Sequence, residues 1–292
     1  MPIIALEEVS KLYGFGDATT VALDEVSLNI ESGEFVAIMG PSGSGKSTLL
    51  NIVGLLDRPS HGRYMLAKRQ VAKLRPNQQA KIRRDKVGFV FQSFNLLPRL
   101  NVLENVALPL VYKRVTQTKR LKMASAMLDR VGILEREYFM PKQLSGGQSQ
   151  RAAIARALIN EPEIIIADEP TGNLDSAASR LVMELLSDIH KAGNTILMVT
   201  HNPELTRYAT RVVFMHDGAV VADEKSPIGE VPEYARRSMY FQPRKTEEDD
   251  LAGVSVLMQS IPEKDEKSNR PKSKRKAARR TYSAKPNKRT KK

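Results

Sequence analysis

Cysteine and tryptophan are both absent from the 292-residue sequence, and aromatic residues make up only 5% of it. Without cysteine the chain can form neither disulfides nor thiolate metal sites, which fits a reducing compartment. No apolar run approaches the length of about 18 to 20 residues that a membrane span requires. The first residues also lack the basic start and the long apolar core of a secretory signal. The sequence therefore predicts a soluble protein of the cytoplasm.

Acidic residues are missing from one end of the chain, where basic residues are concentrated. The whole sequence holds 46 Lys or Arg and 33 Asp or Glu, a net charge of +13. Residues 267–292 contain 13 of the basic residues and no acidic one, so the rest of the chain is neutral. A segment of this composition cannot bury a core, and we predict that residues 241–292 form a disordered, strongly basic tail.

Short apolar runs alternate with helical stretches through residues 1–225. The runs are continuous and rich in β-branched residues, which is typical of strands covered on both faces in a largely parallel sheet. We predict a helix over residues 47–56. We predict strands at residues 34–40, 87–92, 163–168, 195–201 and 211–218.

Two regions depart from this pattern. Residues 3–14 and 21–30 alternate between apolar and polar side chains, which predicts a pair of antiparallel strands. Residues 96–140 are helical in pattern. Local breaks in them are expected at Pro98, Pro109 and Gly132. The predicted fold class is α/β, with a mostly parallel sheet core, an antiparallel β subdomain and a helical subdomain at about residues 93–160.

Residues 40–47, GPSGSGKS, directly follow an apolar segment. They match the pattern GxxxxGK(S/T) of a phosphate-binding loop, whose glycines allow successive backbone N–H groups to surround phosphate oxygens. Lys46 would reach the β- and γ-phosphates, and Ser47 would ligate Mg²⁺. An ordinary glycine-rich turn is the alternative, but the strand before the loop and the helix after it favour phosphate binding. The expected binding residues are Gly40, Pro41, Ser42, Gly43, Ser44, Gly45, Lys46, Ser47 and Thr48.

Two carboxylates end the apolar run that begins at Ile164. Asp168 and Glu169 would lie at the carboxyl edge of the sheet, where ligands of open α/β sheets bind. We expect Asp168 to hold Mg²⁺, through water, and Glu169 to accept a proton from, or orient, an attacking water. A strand that simply ends in charged residues is common, and the phosphate loop upstream is what favours a functional pair.

The pentapeptide LSGGQ, residues 144–148, opens a predicted helix that continues SQRAAIARALI. Its serine and two glycines place a hydroxyl and unobstructed N–H groups at a helix start, which makes a second anion site. With this pentapeptide the sequence resembles the ABC-type ATPases over roughly residues 3–225. The resemblance implies a P-loop NTPase fold for residues 1–235, with ATP as substrate, Mg²⁺ as metal and ATP hydrolysis as activity.

The resemblance also implies that two subunits act together. In this family two subunits associate head to tail, so that the phosphate loop of one faces the signature of the other across ATP. The signature residues Ser145, Gly146, Gly147 and Gln148 would then contact nucleotide held by the partner, and Asp175 would bridge the subunits. A monomer would be nearly inert, and ATP would hold a homodimer together.

Three further positions match the family singly. Tyr13 would stack on adenine, and a half-buried strand tyrosine is its ordinary alternative. Gln92 would reach Mg²⁺ and the attacking water, and it begins the segment that meets a membrane partner. His201 would contact the γ-phosphate. The resemblance thus implies a catalytic set of Glu169, His201, Gln92 and Lys46, and a metal set of Ser47, Gln92 and Asp168.

Residues 89–110, together with residues 54–64, narrow the resemblance to the branch that includes the ATPases of lipoprotein release, macrolide export and the FtsE cell-division system. Those ATPases work with permeases that span the membrane few times. The sequence departs from the pattern twice. Ser149 replaces the usual Gln or Glu, which we expect to be a mild change on a solvated helical turn. Residues 67–69 stand where Asp-Gly is usual, so we expect another turn shape there.

Two interpretations of function follow. The leading one is the ATPase subunit of a transporter or mechanotransmission complex, held at the inner face of the membrane by a separate permease that contacts it near Gln92 and Phe94. The rival is a soluble ATPase of the same family that acts on ribosomes or nucleic acid through the basic tail. The single set of motifs disfavours the rival.

Three interpretations of the tail, residues 267–292, follow from its composition. The first is a solvated extension without a specific partner. Attraction to anionic lipid ranks equally with it, because the ATPase would already lie at a membrane surface. Contact with nucleic acid ranks third, since the segment has a single aromatic residue.

Overall fold

The computed structural model describes residues 2–14 and 19–238; the basic tail predicted at residues 241–292 lies outside them. The described elements follow the chain order β1 (Pro2–Tyr13), β2 (Thr20–Glu31), β3 (Phe35–Met39), α1 (Lys46–Val53), β4 (His61–Leu66), β5 (Arg69–Gln70), α2 (Pro76–Lys86), β6 (Val87–Phe91), α3 (Val102–Tyr112), α4 (Gln117–Arg130), α5 (Gly146–Leu158), β7 (Ile164–Asp168), α6 (Ser176–Lys191), β8 (Thr195–Val199), β9 (Arg211–His216), β10 (Ala219–Lys225) and α7 (Glu233–Ser238).

The strands form two sheets. Six of them lie in the order β10-β9-β3-β8-β7-β6, and all neighbours in this sheet are parallel except β9 and β10. The other four form an antiparallel sheet in the order β2-β1-β4-β5. Both the parallel core and the antiparallel pair predicted from the sequence are therefore confirmed.

Both faces of the six-stranded sheet are buried, which explains the continuous apolar runs. On β3, Val36 and Ile38 join a core shared with α1 and the antiparallel sheet. The alternate residues Phe35 and Ala37 join a second core on the opposite face, shared with α5 and α6. In the part of the chain that the structure describes, no helix combines the length and the apolar character needed to cross a bilayer.

A third apolar core joins α3, α4 and α5 between β6 and β7 in the chain. Gly132, with a φ of 69°, follows the end of α4 as expected. The break expected at Pro109 is wrong, because Pro109 lies inside α3 and the helix continues to Tyr112. A proline removes one backbone hydrogen bond, and a helix already held by this core tolerates that loss near its C-terminal end.

The turn between β4 and β5 also differs from expectation. Ala67 and Lys68 both have positive φ, 48° and 65°. Positive φ at both central residues is what a type I′ hairpin turn requires and what Asp-Gly ordinarily supplies. The different turn shape expected there is therefore wrong, because the pairing of the two strands imposes the geometry on residues that are not glycine.

Candidate functional site

The phosphate loop, residues 40–47, connects the end of β3 to the start of α1. Gly45 caps α1 with a φ of 91°, and the first hydrogen bond of the helix runs from Leu49 N to Gly45 O at 2.9 Å. The backbone N–H groups of Lys46, Ser47 and Thr48 occupy the first turn, where a helix has no partners of its own for them. The loop therefore directs a helix start and its positive end toward one point, as anion binding requires.

Distant parts of the chain brace this loop. A Cβ atom at Gly40 would lie 2.1 Å from the carbonyl oxygen of Met215, and one at Gly45 would lie 2.5 Å from the carbonyl oxygen of Ala22. The N–H of Gly218, in the turn between β9 and β10, donates to Ser44 O at 3.2 Å. The two glycines are required because other backbones approach too closely for a side chain.

Lys46 is 8% exposed, and its ammonium lies among oxygens of its own loop. Nζ donates to Gly40 O at 2.9 Å, to Pro41 O at 2.6 Å and to Ser44 Oγ at 3.3 Å. Burial lowers the pKa of Lys46, and the carboxylates of Glu169 and Asp168 oppose that shift. The Lys46 ammonium is therefore close enough to both carboxylates to interact with them electrostatically.

Asp168 is the last residue of β7, and Glu169 follows it with a φ of 42°. Burial and the charge of Glu169 raise the pKa of Asp168, while Lys46 opposes the shift. The N–H of Glu169 donates to Val199 O at 3.0 Å, which ties this residue to the end of β8. Oε1 of Glu169 lies 2.9 Å from Nδ1 of His201. The structure thus brings Lys46, Asp168, Glu169 and His201 to one edge of the sheet.

Gln92 lies directly after β6, beside the turn that follows Glu169. A Cβ atom at Gly172 would lie 2.5 Å from Nε2 of Gln92, and Nδ2 of Asn173 donates to Gln92 O at 3.1 Å. Next to this turn a cleft of about 400 Å³ is bordered by Glu169 and His201 and continues to α6. The Gln92 backbone is therefore held to the turn that directly follows the acid pair.

The segment after Gln92 is held in an unusual backbone conformation. Phe94 and Asn95 both have positive φ, 60° and 51°. Arg156, on α5, donates to the carbonyl oxygens of both residues, at 2.8 Å for Phe94. Such strained backbone persists where the surroundings fix it and is typical of functional segments.

The signature segment forms the start of α5. Oγ of Ser145 accepts from the N–H of Gln148 at 3.3 Å, and Oε1 of Gln148 accepts from the N–H of Ser145 at 3.0 Å. This capping box leaves the Ser145 hydroxyl able to donate, and the N–H groups of Gly146 and Gly147 have no partner within the helix. The side chain of Gln148, predicted to contact nucleotide, is engaged within its own helix start.

The signature and the phosphate loop are braced by different parts of the same chain. Cβ atoms at Gly146 and Gly147 would lie 3.0 Å from Leu174 Cδ2 and from Ala178 Cβ. Asp175 caps α6 by accepting from the N–H of Ala178 at 2.8 Å. The start of α5 thus rests on the start of α6, whereas the phosphate loop rests on β2 and on the turn between β9 and β10.

Tyr13 ends β1, and 43% of its surface is exposed. Its hydroxyl donates to Oδ2 of Asp57 at 2.9 Å. Nζ of Lys11 lies 4.8 Å from the centre of its ring. The ring is therefore accessible to a stacking partner, as the adenine prediction requires, but polar neighbours hold it.

Sequence reasoning missed three residues of this region and misplaced a fourth. Lys11 and Asp57 contact Tyr13, and Asp57 lies within residues 54–64, whose pattern indicates only a branch of the family. Gln150, which is fully buried, donates through Nε2 to Pro170 O at 2.7 Å, next to Glu169.

Ser149 is 6% exposed, so its prediction as a solvated position is wrong. It lies on the inner side of α5, which contacts both α3 and α6.

Comparison with known proteins agrees with this geometry. The family model described as "ABC transporter" matches residues 23–172. The uncharacterized ABC transporter ATP-binding protein YvrO of Bacillus subtilis is 47% identical over 226 residues, which are 77% of this chain and 99% of YvrO. The macrolide export ATP-binding/permease protein MacB of Hyphomonas neptunium is 46% identical over 236 residues, which are 80% of this chain. The chain spans only 37% of that longer relative.

Solved structures share the fold at similar identity. The dimeric structure of the ATP-binding cassette MJ0796, in a post-hydrolysis state with ADP and Pi, has a TM-score of 0.71 and 46% identity. That likeness covers 76% of this chain and 98% of the cassette. Taken with the family match and the near-complete coverage of a 47% identical relative, it shows that this chain belongs to the ABC transporter family as one of its ATPase domains.

Proposed function

We propose that two copies of this chain close on ATP in head-to-tail arrangement and drive a separate membrane permease through that closure. The observation that carries the proposal is that two helix starts suited to anion binding, at Lys46 and at Gly146, are braced by different parts of one chain. A second copy would let the phosphate loop of one subunit and the signature of the other share one nucleotide. The MJ0796 cassette has been solved as a dimer bound to ADP and Pi, which supports the association of two copies.

Each residue at the edge of the sheet has a role in this proposal. Lys46 would exchange the carbonyl oxygens of its loop for phosphate oxygens. Glu169 would accept a proton from the attacking water, and His201 would orient the Glu169 carboxylate and contact the terminal phosphate. Ser145 and Gly147 of a second copy would donate to the same phosphate. Phosphoryl transfer depends mainly on such positioning and charge neutralisation.

The residues proposed for Mg²⁺ fit that ion chemically. Ser47, Gln92 and Asp168 would offer hydroxyl, amide and carboxylate oxygens, the ligand type that magnesium prefers. Among the described residues, no group of three or more His, Cys, Asp or Glu forms a metal cage. Magnesium in nucleotide sites ordinarily takes only one or two carboxylates and completes its shell with water and substrate phosphates. When bound, the ion would neutralise charge on the β- and γ-phosphates.

A mixing experiment tests the shared site. Lys46→Ala damages only the phosphate loop, and Ser145→Arg damages only the signature, so each variant alone should lack ATPase activity. In a mixed dimer both defects fall on one composite site and the other site is intact. An equal mixture should therefore recover about a quarter of the wild-type activity. Half of the dimers are then mixed, and each mixed dimer has one intact site out of two. If each chain used its own signature, the mixture would remain inactive.

The proposal of a permease partner is supported by the MacB relatives, which are named as ATP-binding/permease proteins. The same names favour transport over the ribosomal or nucleic-acid alternative. We propose that the permease contacts this chain near Gln92 and Phe94, as the resemblance implies; the hydrogen bond from Arg156 to Phe94 O holds this segment in one backbone conformation. Co-purification of a few-span membrane protein with the full chain would support this partner. Recovery of the chain with ribosomes instead would contradict it.

Anionic lipid remains a proposal for the basic tail, residues 267–292. Each Lys or Arg near an anionic surface contributes about 1 kcal/mol of attraction. Flotation of the full chain with phosphatidylserine vesicles, compared with a chain ending at residue 240, tests this directly. Binding that is lost on truncation and weakened by salt is expected, and equal flotation of both chains would contradict the proposal.

A further inference from the structure

Asp57 joins the ring of Tyr13 to the helix that begins at the phosphate loop. Its Oδ2 accepts from the Tyr13 hydroxyl at 2.9 Å, and its Oδ1 accepts from Nζ of Lys11 at 2.8 Å. The backbone N–H of Asp57 donates to Asn51 O at 3.1 Å, within α1. One carboxylate therefore holds two side chains of β1 and is itself fixed to α1.

Lys11 restricts the ring from another direction. Its ammonium lies 4.8 Å from the ring centre and also donates to Arg58 O at 2.8 Å. A cation at this distance from a tyrosine ring is attracted to the ring face. Because 43% of the Tyr13 surface is nevertheless exposed, part of the ring remains accessible to a stacking partner.

The pKa shifts of Asp57 and Tyr13 agree with a charged clamp, which consists of the contacts of Asp57 and Lys11 with Tyr13. Burial opposes ionisation of Asp57, but hydrogen bonds from Lys11, the Arg58 amide and Tyr13 outweigh it and lower the pKa of that carboxyl. Burial and the Asp57 carboxylate raise the pKa of Tyr13, while the Thr48 hydroxyl opposes the shift. Thr48 belongs to the first turn of α1, so the ring lies beside the end of the helix that would receive phosphate.

We propose that Asp57, together with Lys11, is a positioning residue that holds Tyr13 ready to stack on the purine base of ATP. This rests on the proposed function, since it assumes that Tyr13 meets the base. Holding a flexible side chain in its bound orientation before the ligand arrives removes an entropy cost from binding. Loss of the clamp is therefore expected to weaken ATP binding about 2- to 10-fold.

Inorganic tripolyphosphate separates a role at the base from a general one, because it occupies the phosphate loop but has no base. Asp57→Ala should raise the dissociation constant for MgATP and leave that for magnesium tripolyphosphate unchanged. Asp57→Asn keeps an acceptor for the Tyr13 hydroxyl and should be milder. Glu7→Ala breaks the comparable Arg63–Glu7 ion pair of the same sheet and is the matched control, with both dissociation constants unchanged.

A double-mutant comparison tests whether Asp57 acts through the ring. In a Tyr13→Ala background, Asp57→Ala should have no further effect on ATP binding. Equal weakening of ATP and tripolyphosphate by Asp57→Ala, or full additivity with Tyr13→Ala, would overturn the inference. Lys46→Ala should weaken both ligands. If it weakens neither, the proposed function fails; if it weakens both while Asp57→Ala changes nothing, only the role of Asp57 fails.

Discussion

Nδ1 of His201 lies 2.9 Å from Oε1 of Glu169, and Glu169, with a φ of 42°, directly follows β7. The backbone of Glu169 is fixed from β8 through its hydrogen bond to Val199 O. A carboxylate held by backbone and imidazole in this way is oriented before a water molecule arrives. We therefore expect catalysis to depend on this pair.

Glu169→Gln should slow ATP turnover on the order of 10² to 10⁴, the effect of losing a general base. ATP affinity should be retained, because the phosphate loop is untouched. The variant should also accumulate as a dimer with MgATP, measured by light scattering. Glu204→Gln alters another carboxylate at the same cleft and should leave turnover unchanged. Unaltered turnover in Glu169→Gln, or a strictly monomeric protein with saturating MgATP, would contradict the assignment.

Gly40→Ala should destabilise the protein more than Gly33→Ala does. Both glycines have positive φ, which costs another residue about 1 to 2 kcal/mol, but only the Cβ at position 40 would meet a backbone oxygen, 2.1 Å away. Overpacking of that kind adds about 1 to 3 kcal/mol to the loss of unfolding free energy. Urea unfolding gives the free energy of unfolding of each variant. An equal decrease in Gly40→Ala and in Gly33→Ala would show that the loop moves freely away from Met215.

Gln150→Leu should lower ATP turnover about 10- to 100-fold while ATP affinity is kept, because the turn that carries Glu169 loses the contact at Pro170. The free energy of unfolding should fall by about 1 kcal/mol. The variant leaves the Pro170 carbonyl without a hydrogen-bond donor, which is destabilising, but it also removes the unpaired Oε1 of Gln150, which partly compensates. Gln79→Leu removes a comparable contact of a buried glutamine away from this site, from Nε2 to Val71 O at 3.3 Å, and should leave turnover intact. Steady-state ATPase kinetics of the wild type and of both variants test this prediction. Equal turnover in Gln150→Leu and in the wild type would show that Gln150 has only a structural role.

The stability contributed by Asp57 should depend on pH in a defined direction. Its pKa is lower in the folded chain than in the unfolded chain, so its stabilising effect is complete above the unfolded pKa of about 3.9. The effect is lost as the pH falls through the lower folded pKa. Urea unfolding of Asp57→Asn should therefore show a deficit against wild type at pH 7 that shrinks below about pH 4. A deficit that is constant with pH would contradict the ion-pair assignment.

Local signals were enough to predict much of this fold. The runs that become β3, β7 and β8 are apolar on both faces because both faces are buried, so the strands could be located from the sequence. The phosphate loop and the acid pair were predicted from residue types that suit phosphate and magnesium, and the signature was identified through the resemblance to the family. These signals depend only on neighbours in the chain.

Contacts between distant residues could not be predicted in the same way. The burial of Ser149 depends on which side of α5 meets its neighbours, and the I′ turn at Ala67 and Lys68 depends on how β4 pairs with β5. Asp57 and Lys11 are separated by 46 residues and meet only because β1 passes the end of α1. Their identity as a pair therefore required the three-dimensional structure.

Met215 and Gly218 touch a loop that was encoded some 170 residues earlier. During synthesis on a ribosome, the segment GPSGSGKS would emerge long before the strand and the turn that brace it. Since β3 lies between β8 and β9, its sheet neighbours also arrive late. A nascent chain shorter than about 218 residues would consequently contain the phosphate loop without the residues that brace it. We therefore expect ATP binding to begin only when translation of the domain is nearly finished.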